Sequence, residues 1–243
     1  MAMKGGVLLA IKYSSSRYTT DVDFSTSLKV SEIDIGNFKM ELGKQLTLSS
    51  ESLNYGIACL VQKFKQQPKD PNATAPTFQI TIGYSSKTDR NNFKSLMHRR
   101  SSTVLKIDYS FNEIIQETEE LYLSENKFIL TYSYSDLVAE KYRALLQQKK
   151  RNRWRSQDVY DLYYIFKNFG PPDSITKRKI LDTFKKKSES RSLRVFRKSM
   201  ADPEIKARSA KDYNHLDKTI YDDLPDFEIA YQYIKTNYED LPW

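Results

Sequence analysis

A chain of 243 residues with seventeen Tyr and twelve Phe holds enough apolar material to bury a core, which excludes disorder over most of its length. No apolar run approaches the ~20 residues that span a bilayer, no basic n-region precedes an apolar h-region in the first residues, and one cysteine (Cys59) with two histidines (His98, His215) excludes a disulfide framework and a zinc cage, so a cytoplasmic protein without a membrane partner is expected. The net charge of +8 is uneven: between Lys141 and Arg208, Lys and Arg outnumber Asp and Glu by twenty to seven, which points to a polyanionic partner or, more plainly, to solvated helix faces.

Lys4 to Tyr13 begins with Gly-Gly and continues as a compact apolar segment that predicts a short helix, followed by a Ser14–Ser16 loop. Asp21-Val22-Asp23-Phe24 alternates as a half-buried strand does. From Val30 to Leu46 the apolar spacing is irregular and supports a helix only in part, and Ser50-Glu51 is expected to open a second helix running to Phe64. Three prolines mark Pro68–Pro76 as a loop. Strands are predicted at Phe78–Tyr84 and Thr103–Ser110 around a basic helix over Arg90–Arg100, then near Glu120 and at Lys127–Tyr132. From Ser135, an expected N-cap with Asp136 in the first turn, the pattern turns helical. Gly170-Pro171-Pro172 breaks it, and helices resume over Ile175–Met200 and Asp226–Tyr238. The expected organisation is α+β, with a mixed α/β core over 1–133 and a helical region over 134–243.

Three features carry chemistry. Asp21 and Asp23, two apart on a strand, aim their carboxylates at one face, where they repel each other unless a cation intervenes. Magnesium takes one or two carboxylates plus phosphate oxygens, and a Gly-Gly turn ahead of a helix lets backbone N–H groups approach phosphate. Taken alone, an Asp-x-Asp is an ordinary surface strand. Asp108, within Lys106-Ile107-Asp108-Tyr109, offers a third carboxylate for a two-metal site, or is a strand-edge acid. Finally, Lys141 on the Ser135 helix and Asp158 with Asp161, three apart on the next, suit a lysine that neutralises phosphate and an acid that orients it or a nucleophile; a solvated helix pair is the plainer reading.

Taken together, Lys4-Gly5-Gly6, the run Arg17 to Phe24, the run Asp136 to Leu145 and the run Arg155 to Tyr163 resemble the AbiEii/AbiGii toxin family, the nucleotidyltransferase toxins of bacterial type IV toxin–antitoxin systems. The resemblance implies a DNA polymerase β-like fold, a mixed sheet carrying metal acids followed by a helical C-terminal half. It implies Mg²⁺ as cofactor, an NTP as substrate, transfer of NMP to an acceptor such as a tRNA 3′ end, and a cognate antitoxin as partner. Asp21 and Asp23 would hold the metal, with Asp108 where the third acid falls. Gly5, Gly6, Ser14 and Arg17 would face the triphosphate, Lys141 and Asp158 would match the family's lysine and later aspartate, and Asp161 would help. The cationic stretch Lys149–Arg155, with Trp154 inside it, would suit an acceptor RNA. Two departures stand out: only Met1–Met3 precede the Lys-Gly-Gly, where relatives carry a helix, and Val7 replaces a common hydroxyl residue. Phosphoryl transfer to a protein and a catalytically weak RNA- or partner-binding scaffold are the alternatives.

Overall fold

The structure, a computed structural model, describes residues 1–70 and 73–243, so residues 71 and 72 of the expected Pro68–Pro76 loop lie outside the described residues. In chain order the elements begin with β1 (Ala2–Lys4), α1 (Gly5–Tyr13), β2 (Asp21–Ser25), α2 (Ile35–Ser52), β3 (Ile57–Gln67), β4 (Thr77–Ser86), α3 (Arg90–Met97) and β5 (Val104–Ser110). They continue with β6 (Thr118–Ser124), β7 (Lys127–Tyr132), α4 (Tyr134–Arg151), α5 (Ser156–Phe169), α6 (Ser174–Glu189), α7 (Pro203–Ala210) and α8 (Phe227–Glu239). The expected α+β class, sheet first and helices after, is present. The contacts divide the chain into two compact units: Met1 with Thr20–Glu113, and Ala2–Thr19 with Ile114–Trp243.

In the first unit β3, β4 and β5 pair antiparallel and β5 pairs parallel with β2, giving the order β3-β4-β5-β2. Strand alternation sends Phe78, Ile80 and Ile82 of β4 and Tyr109 of β5 to one face, where with Phe111 they form the core. The amphipathic α2 covers that face through Ile35, Phe38, Leu42 and Leu46, and Phe38 stacks on Tyr109 with centroids 6.0 Å apart. Asp34 caps α2 by accepting from the Asn37 N–H at 3.0 Å. Residues 79, 81, 106 and 108, along with 21 and 23, are left on the opposite face.

The helix expected from Ser50 to Phe64 is not there. Ser50 and Glu51 close α2 instead, Asn54 and Gly56 take positive φ of 52° and 62°, and Ile57–Gln67 is strand. Two left-handed residues in three positions stop a helix, and the Lys63-Phe64-Lys65 alternation downstream has period two.

In the second unit β1 pairs parallel with β7 and β6 pairs antiparallel with β7. Helix α4 is its spine and packs against α5, α6 and α7. Its buried Leu137, Val138, Tyr142 and Leu145 are joined by Ile180, Leu181 and Phe184 of α6 and Ile234 and Tyr238 of α8, and the Tyr142 hydroxyl donates to the Ile234 carbonyl at 2.8 Å. Side chains of this size contribute roughly 1.5–3 kcal/mol each when fully buried. The α4 N-cap is Ser133, whose Oγ accepts from the Asp136 N–H at 3.2 Å, and Ser135 lies inside the first turn. Asp136 accepts from the Gln116 and Glu117 N–H groups and pairs at 3.1 Å with Lys187, 1% exposed. The helix expected over Ile175–Met200 ends at Glu189, because the Ser188 carbonyl accepts from Arg191 and Leu193 and Ser192 turns left-handed. Among the described residues, no helix is long and apolar enough to cross a membrane.

Candidate active site

In the first unit, strand register decides which polar groups meet. Asp23 of β2 stands opposite Asp108 of β5, Asp21 stands opposite Lys106, and Asp108 stands opposite Gln79 of β4. Paired residues on neighbouring strands share a face, as do residues two apart on one strand. Asp21, Asp23 and Asp108 therefore lie together on the face turned away from the aromatic core. Asp21 is exposed and the other two are half-buried. Among the described residues, no three Asp, Glu, His or Cys form a preassembled metal cage. An all-oxygen set of two or three strand carboxylates instead suits a hard cation that arrives with phosphate oxygens of its own.

In the second unit, a buried network of four charges joins α1's following loop to α4 and α5. Lys141 Nζ donates to Asp158 Oδ1 at 3.0 Å and to Asp161 Oδ2 at 2.6 Å. Arg17 grips Asp161 with both arms of its fork, Nε at 2.7 Å and Nη2 at 2.9 Å. Two cations balance two carboxylates, which is what allows Asp161, wholly buried, and Lys141 to stay ionised. Burial pushes the Asp161 carboxyl up, but Lys141 and then Arg17 outweigh it and hold the group below the usual carboxylate range. Burial likewise lowers Lys141 and Arg17, and in both cases Asp161 foremost reverses the sign and leaves them raised. Among the described residues, Asp158 Oδ2 is buried without a hydrogen-bond partner, and the Arg155 guanidinium stands 3.8 Å from it.

The glycines have two different reasons. Gly5 opens α1 at φ 74°, a conformation that side chains rarely adopt. Gly6 faces Arg17: a Cβ there would stand 2.8 Å from Arg17 Nη2 and 3.1 Å from Thr19 Cβ. The Ser14–Ser16 loop is fixed from α5, since the Tyr164 hydroxyl donates to the carbonyls of Ser14 (2.7 Å) and Tyr13 (3.1 Å), and Tyr160 bonds Ser16 at 3.2 Å. Ser14 itself takes the left-handed conformation at the end of α1 and is exposed.

Lys4, Glu140 and Arg143 were not singled out as site residues. Glu140 accepts from Arg143 Nε at 3.0 Å and Nη2 at 2.5 Å, and stands 3.9 Å from Lys4. Arg143 and Lys4 hold its carboxyl well below the usual range against the opposing effect of burial. Lys4 and Glu140 stand inside two of the quoted motifs, but no spacing rule connects residues 136 positions apart. The cationic Lys149–Arg155 stretch is partly committed within the fold. Lys149 pairs with Glu204 at 2.7 Å, Lys150 donates to the Arg191 and Ser192 carbonyls, and Lys211 sits 3.8 Å above the Trp154 ring.

Residues 1–233 match the family described as nucleotidyl transferase AbiEii toxin, type IV toxin–antitoxin system. Comparison with curated protein sequences finds no match. Among solved structures, a candidate nucleotidyltransferase from H. pylori is similar at a TM-score of 0.50 and 14% identity, over 98% of this chain and 84% of that one. MenT4, a nucleotidyltransferase toxin from Mycobacterium tuberculosis, has a TM-score of 0.49 and 13% identity, over 99% of this chain and 84% of that one. The first of these likenesses agrees with the expected fold.

Proposed function

The chain belongs to the AbiEii family of nucleotidyltransferase toxins from type IV toxin–antitoxin systems, and from that premise we propose that it transfers NMP from an NTP to the 3′ hydroxyl of an acceptor RNA, such as a tRNA. Asp21 and Asp23, flanked by Asp108, would hold Mg²⁺, which when bound supplies charge neutralisation on the triphosphate. The acceptor hydroxyl forms a new bond to the α-phosphorus, the α–β bridging bond breaks, and pyrophosphate leaves. Lys141 has two of its three hydrogens committed to carboxylates, which fixes its direction and leaves the third to serve a phosphate oxygen in the proposed reaction. Asp158 Oδ2, a buried acceptor without a donor, takes the hydrogen of the attacking hydroxyl. Backbone N–H groups at Gly5 and Gly6 and the Ser14 hydroxyl complete the phosphate contacts, with Arg17 and Asp161 holding Lys141 in place. A cognate antitoxin restrains the enzyme.

The observation that carries this reading is the register that sets Asp23 beside Asp108 with Asp21 on the same face. The test is incubation with α-labelled NTPs, one nucleotide at a time, against total RNA in Mg²⁺. Label in RNA is expected. Label reaching only protein, and only from γ-labelled ATP, would replace the proposal with phosphoryl transfer, and no transfer from either would leave a binding scaffold.

A further inference from the structure

The polar face of the β3-β4-β5-β2 sheet carries more than three acids. Register lays out two rows across it: Lys65, Gln79, Asp108, Asp23 and, beside it, Lys63, Thr81, Lys106, Asp21. Lys63, Lys65 and Lys106 are exposed, and among the described residues no ion pair or hydrogen bond engages their ammonium groups. Several lysines elsewhere pair with carboxylates, as Lys149, Lys179 and Lys206 do with Glu204, Glu117 and Glu228. On this face the charge is segregated instead, with acids gathered on β2 and β5 and cations extending from Lys106 outward to β3.

We infer that this face is the track for the phosphate backbone of a single-stranded RNA segment, with Lys106, Lys63 and Lys65 taking successive phosphates away from the acids. The inference rests on the RNA-acceptor reading above. Strands are ~4.8 Å apart, so the rows carry positive charge from one strand step to about 14 Å away from Asp21 and Asp23. Lys63 and Lys65 stand three strand steps from Asp21 and Asp23, a span that the successive phosphates of a polynucleotide cover. Gln79 and Thr81 between the lysines add neutral hydrogen-bonding groups without an opposing charge. In the Lys149–Arg155 stretch, the other cationic candidate, Lys149 is paired with Glu204 and Lys150 is held by the carbonyls of Arg191 and Ser192. Among the described residues, the three sheet lysines are not held in this way.

The test is binding of a fluorescent RNA with a single-stranded 3′ end to the full chain, by anisotropy across a salt series, without NTP. For single strands the salt slope is about 0.7 per phosphate neutralised, so the triple variant K63Q/K65Q/K106Q should lose about 2 from the slope of log affinity against log salt. Between 50 and 200 mM salt the wild type should then lose about 20-fold more affinity than the triple variant. The triple arginine variant should keep the wild-type slope, which separates lost charge from a damaged sheet. Equal slopes in wild type and K63Q/K65Q/K106Q would overturn the track. The two readings fail separately: no label in RNA with the slope still lowered removes the acceptor reading and leaves the track, whereas label in RNA with an unchanged slope removes the track alone.

Discussion

Replacing Asp161 by Asn tests the buried charge network directly. Asp161 is fully buried and accepts three charge-assisted hydrogen bonds, two from Arg17 and one from Lys141. The substitution changes the cluster from two cations and two anions to two cations and one anion, out of reach of solvent. Asp158 then remains as the hydrogen-bonded counterion, through one bond to Lys141 at 3.0 Å. Breaking a buried pair from one side costs about 3–5 kcal/mol. Asn keeps one acceptor oxygen, which sets the expectation near about 3 kcal/mol, and Ala should cost more because each lost bond to a charged donor is worth about 1.5–3 kcal/mol. Trp154 and Trp243 both belong to the second unit, so urea unfolding followed by tryptophan fluorescence reads that unit. Adding Arg17→Met to Asp161→Asn should recover part of the loss, because one orphaned cation disappears. An Asp161→Asn protein within about 0.5 kcal/mol of wild type would refute the reasoning.

Other outcomes follow from the same cluster. Asp161 is held below its unfolded pKa, so its contribution is fully present above about pH 4 and is lost as pH falls through the folded value; Lys141 is raised, so its share is present below about pH 10 and is lost above it. Second-unit stability should be level between about pH 5 and 9 and fall on the acid side, and Asp161→Asn should flatten that acid limb; an unchanged limb would remove Asp161 from it. Gly6→Ala places a methyl group 2.8 Å from Arg17 Nη2, so it should cost about 1.5–3 kcal/mol by displacing the fork from Asp161. If Gly6→Ala costs as much in an Arg17→Met background as in the wild type, the clash is not the cause. Asp158→Asn removes one counterion of Lys141 and should cost stability, though less than Asp161→Asn because one hydrogen bond rather than three is weakened, and should lower the transfer rate of the folded protein; an unaltered rate would exclude Asp158 Oδ2 as the acceptor of the hydroxyl hydrogen.

What the sequence made legible were features written in short windows. The alternation around Asp21 and Asp23, the strand holding Asp108, and the helices carrying Lys141 and Asp158 all stand where periodicity put them. Sequence reading failed at 51–64, where a run of apolar residues suits helix or strand and the deciding signal was the left-handed pair Asn54 and Gly56. It also failed where the partner is remote. Arg17 and Asp161 are 144 positions apart, and nothing near either residue announces that a guanidinium fork will close on that carboxylate. The parallel pairing of β2 with β5, which sets Asp23 beside Asp108, is likewise a tertiary fact across more than eighty residues.

Rate measurement of NMP transfer from α-labelled NTP by Asp23→Asn, titrated with Mg²⁺ and checked for unchanged circular dichroism, bears most directly on the proposed chemistry. A fall of at least about a hundredfold that added metal does not restore is expected when a group stabilising the transferring phosphate is lost. A folded Asp23→Asn protein that transfers nucleotide at the wild-type rate would contradict the assignment of the sheet acids as the catalytic centre.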